Sequence, residues 1–283
     1  MASLPAPAPW STPLPAADPP RGMAIFQLPT GTYETRAAFA VQGGSFREKR
    51  NFAATAVLLM HPQGDFLIDA GFGEHVAEHV KLLPRVVRAP HQAGSTARQQ
   101  LQRAGYDLER LRGVILTHSH WDHAGGLDSL PVPIWINAAE RKYAATDAAG
   151  KVFRVVSSDH GIHEYTFDDH AYLGFPKSLD VFGDGSMVIA LAGGHTTGSV
   201  VVFVTLPSSE RYAFIGDITW QLDGIQRRLE RPWLLRKLAD SDAAQVRQGI
   251  LRVASLNELM HVIPAHDVHA YDGIPLLPAD MSQ

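Results

Sequence analysis

The stretch from Val114 to Leu127 reads Val-Ile-Leu-Thr-His-Ser-His-Trp-Asp-His-Ala-Gly-Gly-Leu, and it limits what this chain can fold into more than any other segment. Four metal-capable side chains, His118, His120, Asp122 and His123, fall within six residues. Packing alone does not produce that pattern, and as short motifs go it is a specific one. Val114–Leu116 is a short, apolar, β-branched run of the kind that forms a buried strand. With the backbone still extended past its end, His118 and His120 point the same way, because side chains two apart share a face. Asp122 and His123 are neighbours and must diverge, which suits a second ion beside the first. Gly125 and Gly126 are expected to let the backbone turn tightly next to the site.

Imidazole and carboxylate together suit zinc or a similar first-row ion, yet four groups do not complete two ions. Further donors are expected at other strand ends. His195 lies in Gly193-Gly194-His195-Thr196-Thr197-Gly198-Ser199, after the apolar run Met187–Leu191. Asp217 closes the run Tyr212–Ile215, and His266 follows His261-Val262-Ile263 in Pro264-Ala265-His266-Asp267. Each alone reads as a cap or turn residue. Their shared placement just past a short apolar run sets them apart.

On these motifs the chain resembles the metallo-β-lactamase-fold hydrolase superfamily, which includes glyoxalase II enzymes and N-acyl homoserine lactone lactonases. The resemblance runs from about Met23 to Pro275. It implies an α/β fold, a four-layer αβ/βα sandwich of two mixed β-sheets flanked by helices, with the metals at one edge between the sheets. It also implies the ligand roles: His118, His120 and His195 on one ion, Asp122, His123 and His266 on the other, and Asp217 bridging. Asp69, in Leu67-Ile68-Asp69-Ala70-Gly71, matches the family's early strand-end Asp and is expected to steady a ligand or loop rather than bind metal. Two zinc ions about 3.5–4 Å apart, with iron, manganese or cobalt as alternatives, would share a water and bring its pKa toward about 7. The resulting hydroxide would attack a carbonyl, with Asp122 handling the proton.

Departures from the family pattern narrow the substrate. Lactonases of this superfamily often carry a Tyr three residues after the bridging Asp, and here that residue is Trp220. An indole N–H can donate a hydrogen bond but is no phenolic acid, so Trp220 is expected to line an apolar substrate wall. Ser199 stands where many lactonases and glyoxalase II enzymes have another His. The β-lactamases of the fold use a Cys ligand or lack the bridging Asp; this chain has no Cys and keeps Asp217. The expectation is a hydrolase of a carboxylic ester, foremost a lactone. A glyoxalase II-like thioesterase is the nearest enzymatic alternative, and a non-catalytic metal-binding ligand sensor is the alternative of another class.

Composition excludes several other classes. A net charge of −4 offers no polyanion surface, so no nucleic-acid partner is expected. No apolar run approaches the ~20 residues that span a bilayer, so no membrane role is expected. The partner is a small-molecule substrate; oligomeric state is not legible. Residues 1–22 hold seven prolines and read as an extended or disordered arm, with a single hydrolase domain expected over 23–283. That arm lacks the basic start and continuous apolar stretch of a secretory signal, so a cytoplasmic location is expected, with the periplasm or secretion open if a signal has been removed.

Local patterns fill in the rest. Ala24–Leu28 and Ala37–Val41 read as edge strands, and Ala54–Met60 and Asp65–Ala70 as a hairpin about His61-Pro62-Gln63-Gly64. Helical spacing covers Gly73–Leu83, Ser95–Ala104 with Ser95 as N-cap, and Ala138–Ala145. Asp223–Leu238 reads as a charged helical insertion. Ser241–Met260 is the clearest helix, with Val246, Ile250, Val253, Leu256 and Met260 forming one apolar stripe. His75 and His79, four apart, have ligand-compatible spacing but nothing around them supports a site.

Overall fold

The computed structural model describes residues 3–281; Met1 and Ala2 of the N-terminal arm, with Ser282 and Gln283, lie outside the described residues. The chain divides into two compact units. The first comprises Gly22–Tyr33, Ala53–Tyr165 and the chain from Tyr271; the second comprises the chain up to Arg21, Glu34–Phe52 and Thr166–Ala270.

A seven-stranded mixed sheet supplies the first unit's frame. Its strands are β1 (Ala24–Arg36), β2 (Lys49–Met60), β3 (Asp65–Ile68), β4 (His91–Ala93), β5 (Leu111–Ile115), β6 (Ile134–Asn137) and β7 (Ile162–Tyr165), in the order β4-β1-β2-β3-β5-β6-β7. β2 and β3 form the antiparallel hairpin expected about His61–Gly64, and β3, β5, β6 and β7 run parallel. Parallel strands are covered on both faces and therefore read as continuous apolar runs, which is how Phe66–Ile68 and Val114–Leu116 read. Leu58, Leu67, Val114, Leu116 and Ile134 lie in this unit's core, with Leu101, Val152 and Phe153 from the helices Ala97–Arg103 and Lys151–Val156. Asp69 and the His118–His123 motif both leave the carboxyl ends of parallel strands, the edge where open α/β sheets present their ligand-binding residues.

The second unit is built on β8 (Ser178–Asp180), β9 (Met187–Leu191), β10 (Val200–Thr205), β11 (Arg211–Phe214) and β12 (His261–Ile263), in the order β12-β11-β10-β9-β8. β10 pairs antiparallel with both β9 and β11, and β12 pairs parallel with β11. The carboxyl ends of β9, β11 and β12 therefore share one end of the sheet, and His195, Asp217 and His266 all follow from it. The helix Ala243–Leu256 buries Val246, Ile250, Val253 and Leu256 in this unit's core, as its stripe requires. Fully burying such side chains contributes roughly 1.5–3 kcal/mol each. Asp242 caps the helix through the backbone N–H groups of Ala244 and Gln245. From Ser3 to Pro20 the arm forms neither helix nor strand. Its Leu4, Trp10 and Leu14 pack on this core, and the Leu4 N–H donates to Arg228 O at 2.9 Å.

Three local expectations need correction. Ala37–Ala40 is a helical turn, not an edge strand, because β1 runs on to Arg36 and closes there. The helix Ala97–Arg103 is capped by Thr96 rather than Ser95, in a capping box with Gln99. Asp223–Leu238 is two short helices, Leu222–Gln226 and Trp233–Ala239, separated by Arg227–Pro232. Among the described residues no helix is long and apolar enough to cross a membrane.

Candidate metal centre

In the first unit the motif folds as an extended loop running into one helical turn, Trp121–Ala124, with His120 at its N-cap. His118 Nε2 and His120 Nδ1 stand 3.1 Å apart, with the two rings edge to face. The other nitrogen of His120, Nε2, is 3.1 Å from the Tyr143 hydroxyl. With Nε2–H donating to that hydroxyl, Nδ1 keeps its lone pair toward His118. His123 is buried, and its Nδ1–H donates to Asp69 Oδ2 at 2.8 Å, leaving Nε2 as the donor atom. Asp69 also accepts the Thr117 N–H at 2.7 Å and the Thr117 hydroxyl at 2.9 Å. So Asp69 fixes a ring and its tautomer, a role that outer carboxylates play in metal sites.

Asp122, on the helical turn, accepts the Tyr33 hydroxyl on Oδ2 at 2.9 Å. Ligand atoms of His118 and His120 form one close group, and those of Asp122 and His123 form another. Ser119 pins the loop: its N–H and hydroxyl both donate to the buried Glu140 Oε1, at 2.8 and 2.6 Å. Gly126 serves close approach rather than a left-handed turn, since a Cβ there would sit 2.3 Å from Ala70 O.

In the second unit the Asp217 carboxylate stands between two imidazoles. Oδ2 is 3.4 Å from His195 Nε2 and Oδ1 is 3.0 Å from His266 Nε2. All three residues are buried. His195 Nδ1 faces Asp240 Oδ1 at 3.0 Å. The His266 ring stacks on Phe52, with centroids 5.4 Å apart and 6° between planes. Gly194, at φ +90°, lets the His195 loop lie against the helix Ala243–Leu256; a Cβ would fall 2.7 Å from the Val246 N. Ser199 stitches this loop, its hydroxyl accepting the Thr196 N–H at 3.0 Å.

Trp220 is half-buried beside Asp217. Its indole N–H donates to Asp217 Oδ2 at 2.7 Å, and its ring lies between Phe52, at 5.6 Å, and the Arg231 guanidinium, at 4.8 Å. That N–H is committed to Asp217. The His75/His79 pair is accounted for by Asp128, which accepts the Glu74 and His75 N–H groups and has Oδ2 3.7 Å from His79 Nε2. Burial pushes the His79 pKa down, and Asp128 offsets this only in part.

The donor set fits a divalent first-row cation. Each unit offers buried imidazoles with one nitrogen held by an acceptor, the other turned toward a further donor, and a carboxylate alongside. Sequence reasoning misses the residues that hold this set: Tyr33, Glu140, Tyr143, Arg231 and Asp240. None carries a local motif, and the buried charges of Glu140, Arg231 and Asp240 show only in the fold.

Known proteins share this architecture. The solved N-acyl homoserine lactone hydrolase with N-hexanoyl-L-homoserine bound at its catalytic metal center superposes with a TM-score of 0.66 at 17% identity, over 89% of this chain and 96% of that one. This is the fold of metal-dependent hydrolases built on two mixed sheets with flanking helices. The metallo-beta-lactamase superfamily model matches residues 50–266, and the chain belongs to that superfamily, as a metallo-hydrolase. A probable metallo-hydrolase of Mycobacterium tuberculosis is 27% identical over 234 residues, covering 76% of this chain and 74% of its own length. The N-acyl homoserine lactonase AttM of Rhizobium johnstonii is 27% identical over 229 residues, 78% of this chain and 84% of its own.

Proposed function

We propose that this chain is a dinuclear zinc hydrolase of a carboxylic ester, foremost a lactone. The observation that carries it is the Asp217 carboxylate, with one oxygen toward His195 and the other toward His266, the posture of a group shared by two cations. In this reading His118, His120 and His195 would hold one ion, Asp122, His123 and His266 would hold the other, and Asp217 would serve both. The similarity to AttM supports the lactone. When bound, such ions lower the pKa of a water toward neutrality and polarise a carbonyl oxygen.

The chain's own residues do the rest. Asp122 takes a proton from the attacking water and returns it to the leaving oxygen as the acyl C–O bond breaks, so that a lactone opens to a single hydroxy acid and an open-chain ester gives an acid and an alcohol. Tyr33 fixes the Asp122 carboxylate through Oδ2. Trp220 supplies no proton to the leaving group and instead holds Asp217.

Metal analysis of the purified chain is expected to give close to two zinc ions. A panel of lactones, aryl esters, glutathione thioesters, phosphotriesters and β-lactams is expected to show highest turnover on lactones, abolished by a chelator. Highest turnover on thioesters points to the glyoxalase II-like alternative. Ligand binding without turnover of any member points to the sensor.

A further inference from the structure

Arg231 is buried, and its guanidinium meets four groups of the second unit's donor cluster. Nη1 donates to Ile218 O at 3.1 Å and lies 3.4 Å from Asp240 Oδ1; Nη2 donates to the main-chain oxygen of Asp217 and stands 3.3 Å from His195 Nδ1. The guanidinium also covers the ring of Trp220, whose N–H holds the Asp217 side chain.

Two groups thus compete for His195 Nδ1. The Asp240 carboxylate, at 3.0 Å, can only accept from it; the arginine N–H can only donate to it. The outcome fixes the ring. If Nδ1–H donates to Asp240, Nε2 keeps its lone pair and faces Asp217 at 3.4 Å. If Nδ1 accepts from Arg231, the proton sits on Nε2 and a cation there has no donor.

We propose that Arg231 and Asp240 are the positioning pair of this site: Asp240 selects the metal-binding tautomer of His195, and Arg231 anchors Asp240 and the Asp217 backbone. This rests on the dinuclear reading above. It makes a prediction that mere packing does not. Removing Asp240 alone leaves the Arg231 N–H aimed at Nδ1, which selects the wrong tautomer; removing Arg231 as well lifts that bias.

The test measures zinc Kd on the full-length chain by competition with a chromophoric chelator, with cobalt(II) absorption as a second readout. Asp240→Leu is expected to raise Kd by about ten- to a hundredfold. Adding Arg231→Met to Asp240→Leu is expected to recover part of that loss. Asp240→Asn keeps an accepting oxygen, guards against a misfolded leucine variant, and is expected to bind more tightly than Asp240→Leu. A double variant as weak as Asp240→Leu or weaker overturns the proposal, as does an unchanged Kd in Asp240→Leu. If the parent chain holds two zinc ions while either result is seen, only this inference falls; a parent that binds no zinc removes the dinuclear reading with it.

Discussion

Asp69 adopts φ 55°, a left-handed conformation that costs a side-chain-bearing residue energy and that Asp tolerates better than most. Its carboxylate serves Thr117 and His123 together, so Asp69→Ala strips both at once. The expected result is a roughly 10- to 100-fold loss of zinc affinity, on the order seen when outer carboxylates are removed. Stability is expected to fall by about 1–3 kcal/mol from the buried Thr117 N–H left without its acceptor. Chelator competition and chemical denaturation check the two losses separately, and an unchanged zinc affinity would sink the proposed role. The proposed donors are legible in the sequence because His or Asp recurs just past one short apolar run after another. Their holders are not. Tyr33 lies 89 positions from Asp122, Asp240 lies 45 from His195 and Glu140 lies 21 from Ser119, and no spacing rule links such pairs before the chain folds. Trp220 shows the same limit: its residue type reveals a donor without a phenol, but not that Asp217 uses that donor.

The loops that carry the donors depend on how neighbouring elements begin. Gly194→Ala places a Cβ 2.7 Å from the backbone nitrogen of Val246, in a backbone conformation that L side chains rarely adopt. Backbone cannot yield as a flexible side chain can, so the His195 loop must move. Loss of thermal stability and loss of bound zinc are expected together; a stable, fully loaded variant would show the loop has slack. Thr96→Ala is the contrasting case. It removes one half of a capping box in the first unit, should cost about 1 kcal/mol in denaturant unfolding, and should leave zinc content unchanged. Elements with long periodicity are the ones sequence defines well: the stripe of Ala243–Leu256 has enough turns to fix its phase. Ala37–Ala40 is misleading because four small or apolar residues fit either period. Pro232 divides the Asp223–Leu238 stretch, where it is the N-cap of the second short helix.

At the scale of the molecule, the strand and helix patterns place the chain among α/β proteins, and its two-sheet architecture is legible only through the family resemblance. The two compact units are not, because two of their boundaries, after Tyr33 and after Phe52, fall within β1 and β2, strands with no break in composition there. Acid stability depends on groups buried in such a core, and His79 is one whose sign can be worked out. In the unfolded chain its pKa is the ordinary 6.5, and in the fold burial holds it lower. Between the two values the unfolded state binds a proton that the native state does not, so lowering the pH favours unfolding. The contribution of neutral His79 is therefore complete above pH 6.5 and is lost as pH falls toward the native value. His79→Gln keeps a polar side chain of similar reach, removes the titration and leaves every proposed ligand in place. Urea unfolding from about pH 7.5 to about pH 5, at saturating zinc, is expected to show a shallower loss of stability for the variant than for the parent. Parallel profiles would mean that His79 takes up its proton without opposing the fold, and Asp128, 3.7 Å away, would then be the partner that accommodates the charge.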